Sequence, residues 1–221
     1  MRKLPKIIFS ISFGLVFYLF SYCDGIPNEI KGLNDKGSFL VKIKRGVVSI
    51  KFGEGSIEFP LVGYDANNVI VKDFNNDHND EIIFLDLGGV SVGGRVRLIT
   101  WEHDRPVEIK VDRVANRLSF IDYHDSTYLI LEQHVTKNLF YVGDVLSFDG
   151  KKLGHNTNID LWDRVIKQKL LSKVPNLKSL EDKSLIYSFA YLAYKKINRN
   201  ALAMEYFNKA KEIFPDNPYL K

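Results

Sequence analysis

The stretch VKDFNNDHNDEIIFLDL, residues 71–87, places an oxygen-rich turn directly before an apolar run. Four carboxylates and three asparagines occupy the nine positions 73–81, and IIFLDL follows them. Short apolar runs bounded by turn residues are typical of buried strands. The stretch therefore predicts a turn between two strands, with VIV before it and IIFL after it.

The surrounding residues, 38–152, form short runs rich in Val, Ile, Phe and Tyr, separated by Gly, Asn and Asp. This pattern predicts a β domain of successive antiparallel strands. The segment 67–74 aligns with 116–123 at an offset of 49, which also relates Gly94 to Gly143, and a partial third copy begins at Gly46. Such a period indicates blade-like units that stack, as in an incomplete propeller. A chance alignment of similar strands is the alternative.

The pattern changes to a helical period from residue 158 onward. The segment IDLWDRVIKQKLLSKV places Leu161 and Val165 on one face, which predicts a helix over about 160–173 that Pro175 ends. We therefore divide the chain into a β domain and an all-α domain over 158–221.

The N-terminus carries the features of an export signal. Three basic residues and no acid precede the apolar run 7–20, which has the length of a signal-peptide core and is short for a membrane-spanning helix. We interpret 1–22 as a signal peptide and 23–37 as a linker. Cys23 is the only cysteine, so no disulfide can form within one chain.

The sequence FSYCD around Cys23 resembles the lipobox of bacterial lipoproteins. The resemblance implies that Cys23 is lipidated and becomes the first mature residue, which anchors the protein to a membrane of the bacterial cell envelope, on its periplasmic or surface face. Tyr22 departs from the family, which has a small residue before the cysteine. An uncleaved anchor and ordinary signal cleavage are the alternatives.

The charge of the mature chain argues against nucleic acid as a partner. The whole chain carries +4, and removal of 1–22 takes away three positive charges and no negative one, which leaves about +1. No basic stripe remains to neutralise a phosphate backbone.

The oxygen-rich turn has the spacing of a calcium loop. Asp73, Asn75 and Asp77 alternate, and Glu81 ends the series. Calcium takes about six to eight oxygen ligands, which a tightly wrapped loop supplies from alternating positions. Without a cation, the carboxylates would repel one another across a short turn. The spacing predicts a single calcium site; an Asn- and Asp-rich hairpin turn without metal is the alternative.

The stretch VKDFNNDHNDEIIFL resembles the calcium loop of FG-GAP repeats, also called VCBS repeats, of the integrin α type. The resemblance implies five metal ligands: the side chains of Asp73, Asn75, Asp77 and Glu81, and the carbonyl of Asn79. It also implies that Asp80 points to solvent. His78 stands where the family has glycine, which predicts weaker affinity because that position often adopts a left-handed conformation. The second copy, DYHDSTY (122–128), keeps only Asp122 and is predicted to bind no metal.

The segment YSFAYLAYKKINRNALAMEYFNKAKEIFPDNP (187–218) resembles one tetratricopeptide repeat (TPR), a helix-turn-helix unit. The resemblance is carried by Tyr187, Ala190, Tyr194, Ala203, Phe207, Ala210 and Pro215. Tyr191 departs from the family, which prefers glycine there. A TPR implies a protein-binding surface, although one repeat is not a stable solenoid. A helical hairpin that merely closes the fold is the alternative.

No catalytic motif is found in the sequence. The five histidines form no metal-binding pair, and there is no nucleophile elbow. The glycine-rich segment 88–96 precedes a strand instead of a helix, which indicates a hairpin connection and not a phosphate site. His124 fits a surface turn, and Asp86 and Asp104 are interpreted as solvated edge residues.

The sequence thus predicts a non-enzymatic, exported, lipid-anchored calcium-binding scaffold. Its protein partner would bind the helical domain or an exposed β edge. Two to three blades cannot close a propeller, so the sheet is open or is completed by another chain. An envelope glycan-processing enzyme with an unrecognised active site and a purely structural lipoprotein without metal are the alternatives.

Overall fold

The computed structural model describes residues 29–44, 46–62, 65–87, 93–136 and 139–220. The predicted signal peptide and Cys23 lie outside these residues. Within them the chain forms strands first and helices afterwards, so it is mainly antiparallel β with helices near the C-terminus, as predicted. Among the described helices, none combines the length and the apolar character that crossing a bilayer requires.

The elements follow one another along the chain without mixing of the two classes. The strands are β1 (Glu29–Asn34), β2 (Gly37–Lys44), β3 (Val47–Phe52), β4 (Gly55–Pro60), β5 (Asp65–Lys72), β6 (Glu81–Leu87), β7 (Gly94–Glu102), β8 (Arg105–Ile109), β9 (Val114–Ala115), β10 (Arg117–Tyr123), β11 (Ser126–Thr136), β12 (Leu139–Phe148) and β13 (Leu153–His155). The helices are α1 (Ile159–Lys169), α2 (Leu180–Lys196) and α3 (Asn200–Ile213), with 3-10 turns at Leu171–Asn176 and Pro218–Leu220.

The strands form three antiparallel sheets, each joined in chain order. Sheet 1 contains β1 to β4, sheet 2 contains β5 to β8 with β9 paired to β7, and sheet 3 contains β10 to β13. Gly94 and Gly143 lie in the third strands of sheets 2 and 3, and Gly46 directly precedes the third strand of sheet 1. The repeat offset therefore relates strands with equivalent positions. In the described part of the chain, the sheets close into neither a barrel nor a propeller.

Sheet 2 lies between the other two sheets, which explains why β6 is apolar throughout. Six of its seven residues are buried. Ile82 and Phe84 pack with sheet 1, whereas Ile83 and Leu85 pack with sheet 3. A strand covered on both faces loses the alternation of polar and apolar residues. The opening stretch therefore enters the central strand of the β domain.

The helices cover the face of sheet 3 that sheet 2 leaves open. Trp162 of α1 and Phe189 of α2 share a buried cluster with Ile130 and Val145 of sheet 3. Helix and sheet side chains therefore share one core. The predicted β and helical domains differ in secondary structure, but they are packed together.

A buried polar network joins the end of the chain to α2. The Asn217 side-chain amide donates to the hydroxyls of Ser184 at 2.7 Å and Ser188 at 3.0 Å. Ser184 in turn donates to the backbone carbonyl of Ala210 in α3 at 2.7 Å. All three polar side chains are buried, and each finds a partner, so the network fixes the segment after α3 against the hairpin.

Two predicted boundaries differ from the structure. Residues 29–34, assigned to the linker, form β1, where Gly32 lies under the Phe39 ring; a Cβ on residue 32 would stand 2.2 Å from that ring. The predicted helix over 160–173 ends earlier, because α1 stops at Lys169 and Pro175 lies within the following 3-10 turn. Proline is compatible with such a turn because its fixed φ suits it.

The interpretation of Asp86 as a solvated residue is wrong. Its side chain is 2% exposed and forms an ion pair with Arg97 Nη1 at 3.1 Å. Arg97 also binds Glu108 of β8 in a bidentate manner, at 2.6 Å for each bond, and the Pro60 carbonyl at 2.6 Å. The guanidinium therefore links sheet 2 to the end of sheet 1. Asp104 is exposed, as predicted, and pairs with Lys36.

Candidate metal centre

The loop between β5 and β6 is folded back by its own first carboxylate. Asp73 accepts the N–H of Asn76 through Oδ1 at 2.7 Å and the N–H of His78 through Oδ2 at 3.0 Å. Asn76 and His78 both have positive φ, of 61° and 71°. The left-handed conformation expected at His78 is therefore present, and it is what lets the loop turn twice within a few residues.

The next two alternating residues continue the same inward arrangement. Asn75 Oδ1 accepts the N–H of Asp77 at 3.1 Å, and the Asn75 amide donates to Asp77 Oδ2 at 2.8 Å. Asp77 Oδ1 accepts the N–H of Asn79 at 2.8 Å. The side chains of the predicted ligands are thus directed at the loop itself.

Glu81, the first residue of β6, is a buried carboxylate. Its side chain is 0% exposed, accepts the N–H of Phe74 at 2.9 Å and accepts the Thr100 hydroxyl at 3.2 Å. Burial raises the pKa of Glu81 to about 8, a shift that the Phe74 bond opposes and the negative charge of Asp77 and Asp73 increases. Asp73 and Asp77 are therefore close enough to disfavour the ionisation of Glu81.

The donor set fits a hard cation. Each carboxylate oxygen has two lone pairs, and the hydrogen bonds described above use one each on Asp73 and Asp77. Within the described ranges, Asp73, Asp77 and Glu81 form no ion pair with a basic side chain. A calcium ion would supply that missing positive charge, with the Asn75 and Asn79 oxygens adding neutral ligands.

The residues that the structure describes contain no metal site formed by His, Cys, Asp and Glu side chains alone. These residues contain no grouping of three or more His, Cys, Asp and Glu side chains placed to hold a metal ion. The candidate centre depends instead on a mixed set, in which amide and carbonyl oxygens complete the carboxylates. Oxygen-only sets of this kind suit calcium and not zinc or copper.

The loop is joined to the first hairpin of sheet 1. Asp80 accepts the N–H of Leu33 through Oδ2 and donates its own N–H to the Leu33 carbonyl, both at 2.8 Å. Asn79 Oδ1 accepts the N–H of Asp35 at 2.8 Å. The expectation that Asp80 points to solvent is therefore wrong, because its carboxylate binds a backbone N–H 47 residues away. Trp101 adds a bond to the Asp80 carbonyl at 3.0 Å.

The loop also contacts the turn of sheet 3 that the sequence repeat aligns with it. The Asn76 side chain donates to the Asp125 carbonyl. Asp122, the equivalent of Asp73, binds Lys72 at 3.0 Å and the Thr127 hydroxyl at 2.7 Å, and these bonds lower its pKa. The carboxylate of the second copy is thus paired with protein groups. The first loop therefore lies where all three sheets meet.

Replacing His78 by glycine tests the strain in the loop. A left-handed conformation costs an ordinary residue roughly 1–2 kcal/mol, part of which the greater chain entropy of glycine offsets. We therefore expect His78→Gly to raise the free energy of unfolding by up to about 1 kcal/mol, measured by urea denaturation. Calcium affinity should rise as well.

The matched control is His103→Gly, because His103 also has a positive φ, of 47°, in the β7–β8 turn. It should change stability without changing calcium affinity. Equal effects of both variants on calcium binding would contradict the assignment of the first loop.

The residues that carry the TPR resemblance come together in the helical hairpin. Ala190, Tyr194, Ala203 and Ala210 are buried. The aromatic contacts join α2 to α3: Tyr187 and Tyr194 meet Tyr206, and Tyr191 meets Phe207 edge to face with centroids 5.4 Å apart. Tyr191 therefore fills the space next to Phe207 that a glycine would leave. Pro215 follows the end of α3 at Ile213.

The remaining predicted features are met in part. His124 lies in a surface turn, as expected. Of the glycine-rich segment, Gly93 and Gly94 are described; Gly93 has φ of 100°, and a Cβ there would stand 2.6 Å from the Ala115 carbonyl oxygen. Such close backbone approach explains glycine at this position.

Sequence reasoning missed Thr100, Asp35 and Leu33 as partners of the loop, because all three are distant in sequence.

Comparison with known proteins finds no matching family model, no matching curated protein and no matching solved structure.

Proposed function

We propose that this chain is a non-catalytic calcium-binding scaffold of the bacterial cell envelope, with an FG-GAP type β domain and a TPR-like hairpin. The observation that carries the proposal is the loop of Asp73, Asp77 and Glu81, where a buried carboxylate lies within the electrostatic influence of two others, and none of the three has a basic partner in the described residues. A single calcium ion balances that charge.

The blade-like interpretation rests on the order of the strands. Each of the three successive sheets has four strands connected in chain order, sheet 2 with β9 added beside β7, and the 49-residue offset relates equivalent strands of sheets 2 and 3. Sheets of this kind stack through their apolar faces. Calcium in the first loop would then stabilise the contacts with the Leu33 hairpin and the Asp125 turn, and so make the stack rigid.

The partner surface is proposed on the helical hairpin or on an exposed β edge. The hairpin covers sheet 3 with one side and leaves Leu192 and Met204 about half exposed. The chain would be held at a membrane through lipidated Cys23. A mature N-terminal peptide with an unmodified Cys23, detected by mass spectrometry, would contradict the lipid anchor.

Calcium titration of the full-length chain in detergent tests the site. We expect heat of binding with Kd of about 10⁻⁴ to 10⁻³ M and a higher melting temperature with calcium than with chelator. Asp77→Asn keeps the side-chain size but removes one charge, and should weaken binding about tenfold or more.

The matched control for Asp77→Asn is Asp104→Asn. Asp104 is exposed and pairs with Lys36 outside the loop, so its replacement should leave calcium binding unchanged. Absence of both heat and thermal shift at millimolar calcium would defeat the proposed metal site.

A further inference from the structure

A cavity lies at the joint between sheet 3 and the helices, away from the candidate metal centre. It has a volume of about 330 Å³. We call it the joint pocket; it is lined by His155, Thr157, Ile159, Lys196, Ile197, Asn198 and Arg199. Three of these residues carry basic side chains, and none of the seven carries a carboxylate.

Lys196 and His155 are held in place by one acidic residue behind the pocket lining. Asp144 Oδ1 lies 2.5 Å from His155 Nδ1 and 3.2 Å from Lys196 Nζ. The Lys196 ammonium also donates to the Gly143 carbonyl at 2.8 Å. An ammonium has three N–H donors, so one remains after these two bonds.

The Arg199 side chain adds a charge that is not used in a direct contact. Within the described part of the chain, its guanidinium has no hydrogen-bond or ion-pair partner, and the Thr157 hydroxyl and Asn198 amide have none either. Its charge acts on Asp163 through space, but that carboxylate is bonded to Lys167 and Tyr194. The residues that line the pocket therefore offer five guanidinium N–H donors and three neutral donors, one from Thr157 and two from Asn198.

We propose that the joint pocket binds a small anionic group, a carboxylate or a phosphate, between Arg199 and Lys196. Arginine binds both groups through paired N–H donors, and lysine adds a point charge. Ile159 and Ile197 give the pocket an apolar wall, which suits a ligand with a short carbon segment next to its charge. Because Lys196 joins α2 to β12, a bound anion also strengthens the attachment of the helical hairpin to sheet 3.

Titrations of the full-length chain in detergent with inorganic phosphate and with succinate test the proposal. Calorimetry at constant chloride concentration should show saturable binding of one anion per chain, with Kd in the range of about 1 mM. Phosphate binding without succinate binding would identify the phosphate class, and the reverse would identify the carboxylate class. Saturation with neither at about 10 mM would overturn the proposal.

Arg199→Gln should weaken anion binding about tenfold or more, because glutamine loses the positive charge and the paired charge-assisted N–H donors of the guanidinium. Lys195→Gln is the matched control, because Lys195 is exposed near the end of α2 and contacts Tyr191 outside the pocket. Arg199→Lys keeps the charge and should recover part of the affinity. Equal binding by wild type and Arg199→Gln would rule out the pocket as the site.

Discussion

Arg97→Met is expected to lower the free energy of unfolding by about 3–5 kcal/mol. Arg97 is 7% exposed and binds Asp86, Glu108 and the Pro60 carbonyl. Methionine fills a similar volume but removes the guanidinium that pairs with the buried Asp86. Breaking a buried ion pair by removing one partner costs more than one more apolar side chain contributes.

Urea denaturation of three variants distinguishes the loss of this ion pair from a general disruption of strand β7. Arg95→Met is the matched control, because Arg95 lies in the same strand with an exposed side chain, and it should change stability by less than about 0.5 kcal/mol. The double variant Asp86→Asn with Arg97→Met should recover part of the loss, since the buried charge is also removed. Equal costs for Arg95→Met and Arg97→Met would contradict the role of the buried pair.

The Arg97 network shows where sequence reasoning reaches its limit. The alternation and the turn residues predict the β domain, because strand formation depends on neighbours along the chain. Whether Asp86 is buried depends instead on which strand lies beside β6 and where its arginine points. The Asp86 carboxylate meets a guanidinium eleven residues away, on the next strand. No local pattern separates this aspartate from a solvated one.

Strand β1 was missed for a related reason. Its sequence EIKGLN is short, charged and interrupted by glycine, which local propensity assigns to a linker. The Phe39 ring covers Gly32, so glycine is required there by a partner on the neighbouring strand. The same holds for Asp80, whose carboxylate binds the Leu33 N–H in this strand.

The loop itself was more predictable than its surroundings. The spacing of Asp73, Asn75 and Asp77 indicates an inward-facing turn, and the structure places their side chains on the backbone of the loop. The burial of Glu81 was not predictable in degree, because Thr100 and the packed faces of sheet 2 create it. The burial of Glu81 also makes the stability of the protein depend on pH.

In the absence of calcium, the stability of the wild-type protein should fall as the pH rises from about 4.5 to about 8. The ordinary pKa of glutamate is 4.5, and burial raises that of folded Glu81 to about 8. Below pH 4.5 both folded and unfolded chains hold the proton, so Glu81 costs nothing. Between pH 4.5 and pH 8 only the folded chain holds the proton. The free energy of unfolding therefore falls by about 1.4 kcal/mol per pH unit. Above pH 8 both the folded and the unfolded chain have lost the proton, so the destabilisation by Glu81 no longer increases.

Glu81→Gln removes this dependence without changing the side-chain size. With a chelator present, we expect the variant and the wild type to have similar melting temperatures at pH 5, and the variant to melt at a clearly higher temperature at pH 8.5. Glutamine can still accept the N–H of Phe74, so the loss of the negative charge is the main difference. Parallel curves for the two proteins across this range would show that Glu81 ionises normally.

Calcium should narrow the difference in melting temperature between the two proteins at pH 8.5. The ionised Glu81 then has a cation to bind, so wild type gains the stabilisation that mass action provides, whereas Glu81→Gln has lost an anionic ligand and gains little. At pH 5 calcium must first displace a proton from Glu81, and its effect on the melting temperature should be small. Thermal unfolding of both proteins at the two pH values, with calcium and with chelator, therefore separates the cost of burying the carboxylate from the contribution of the metal.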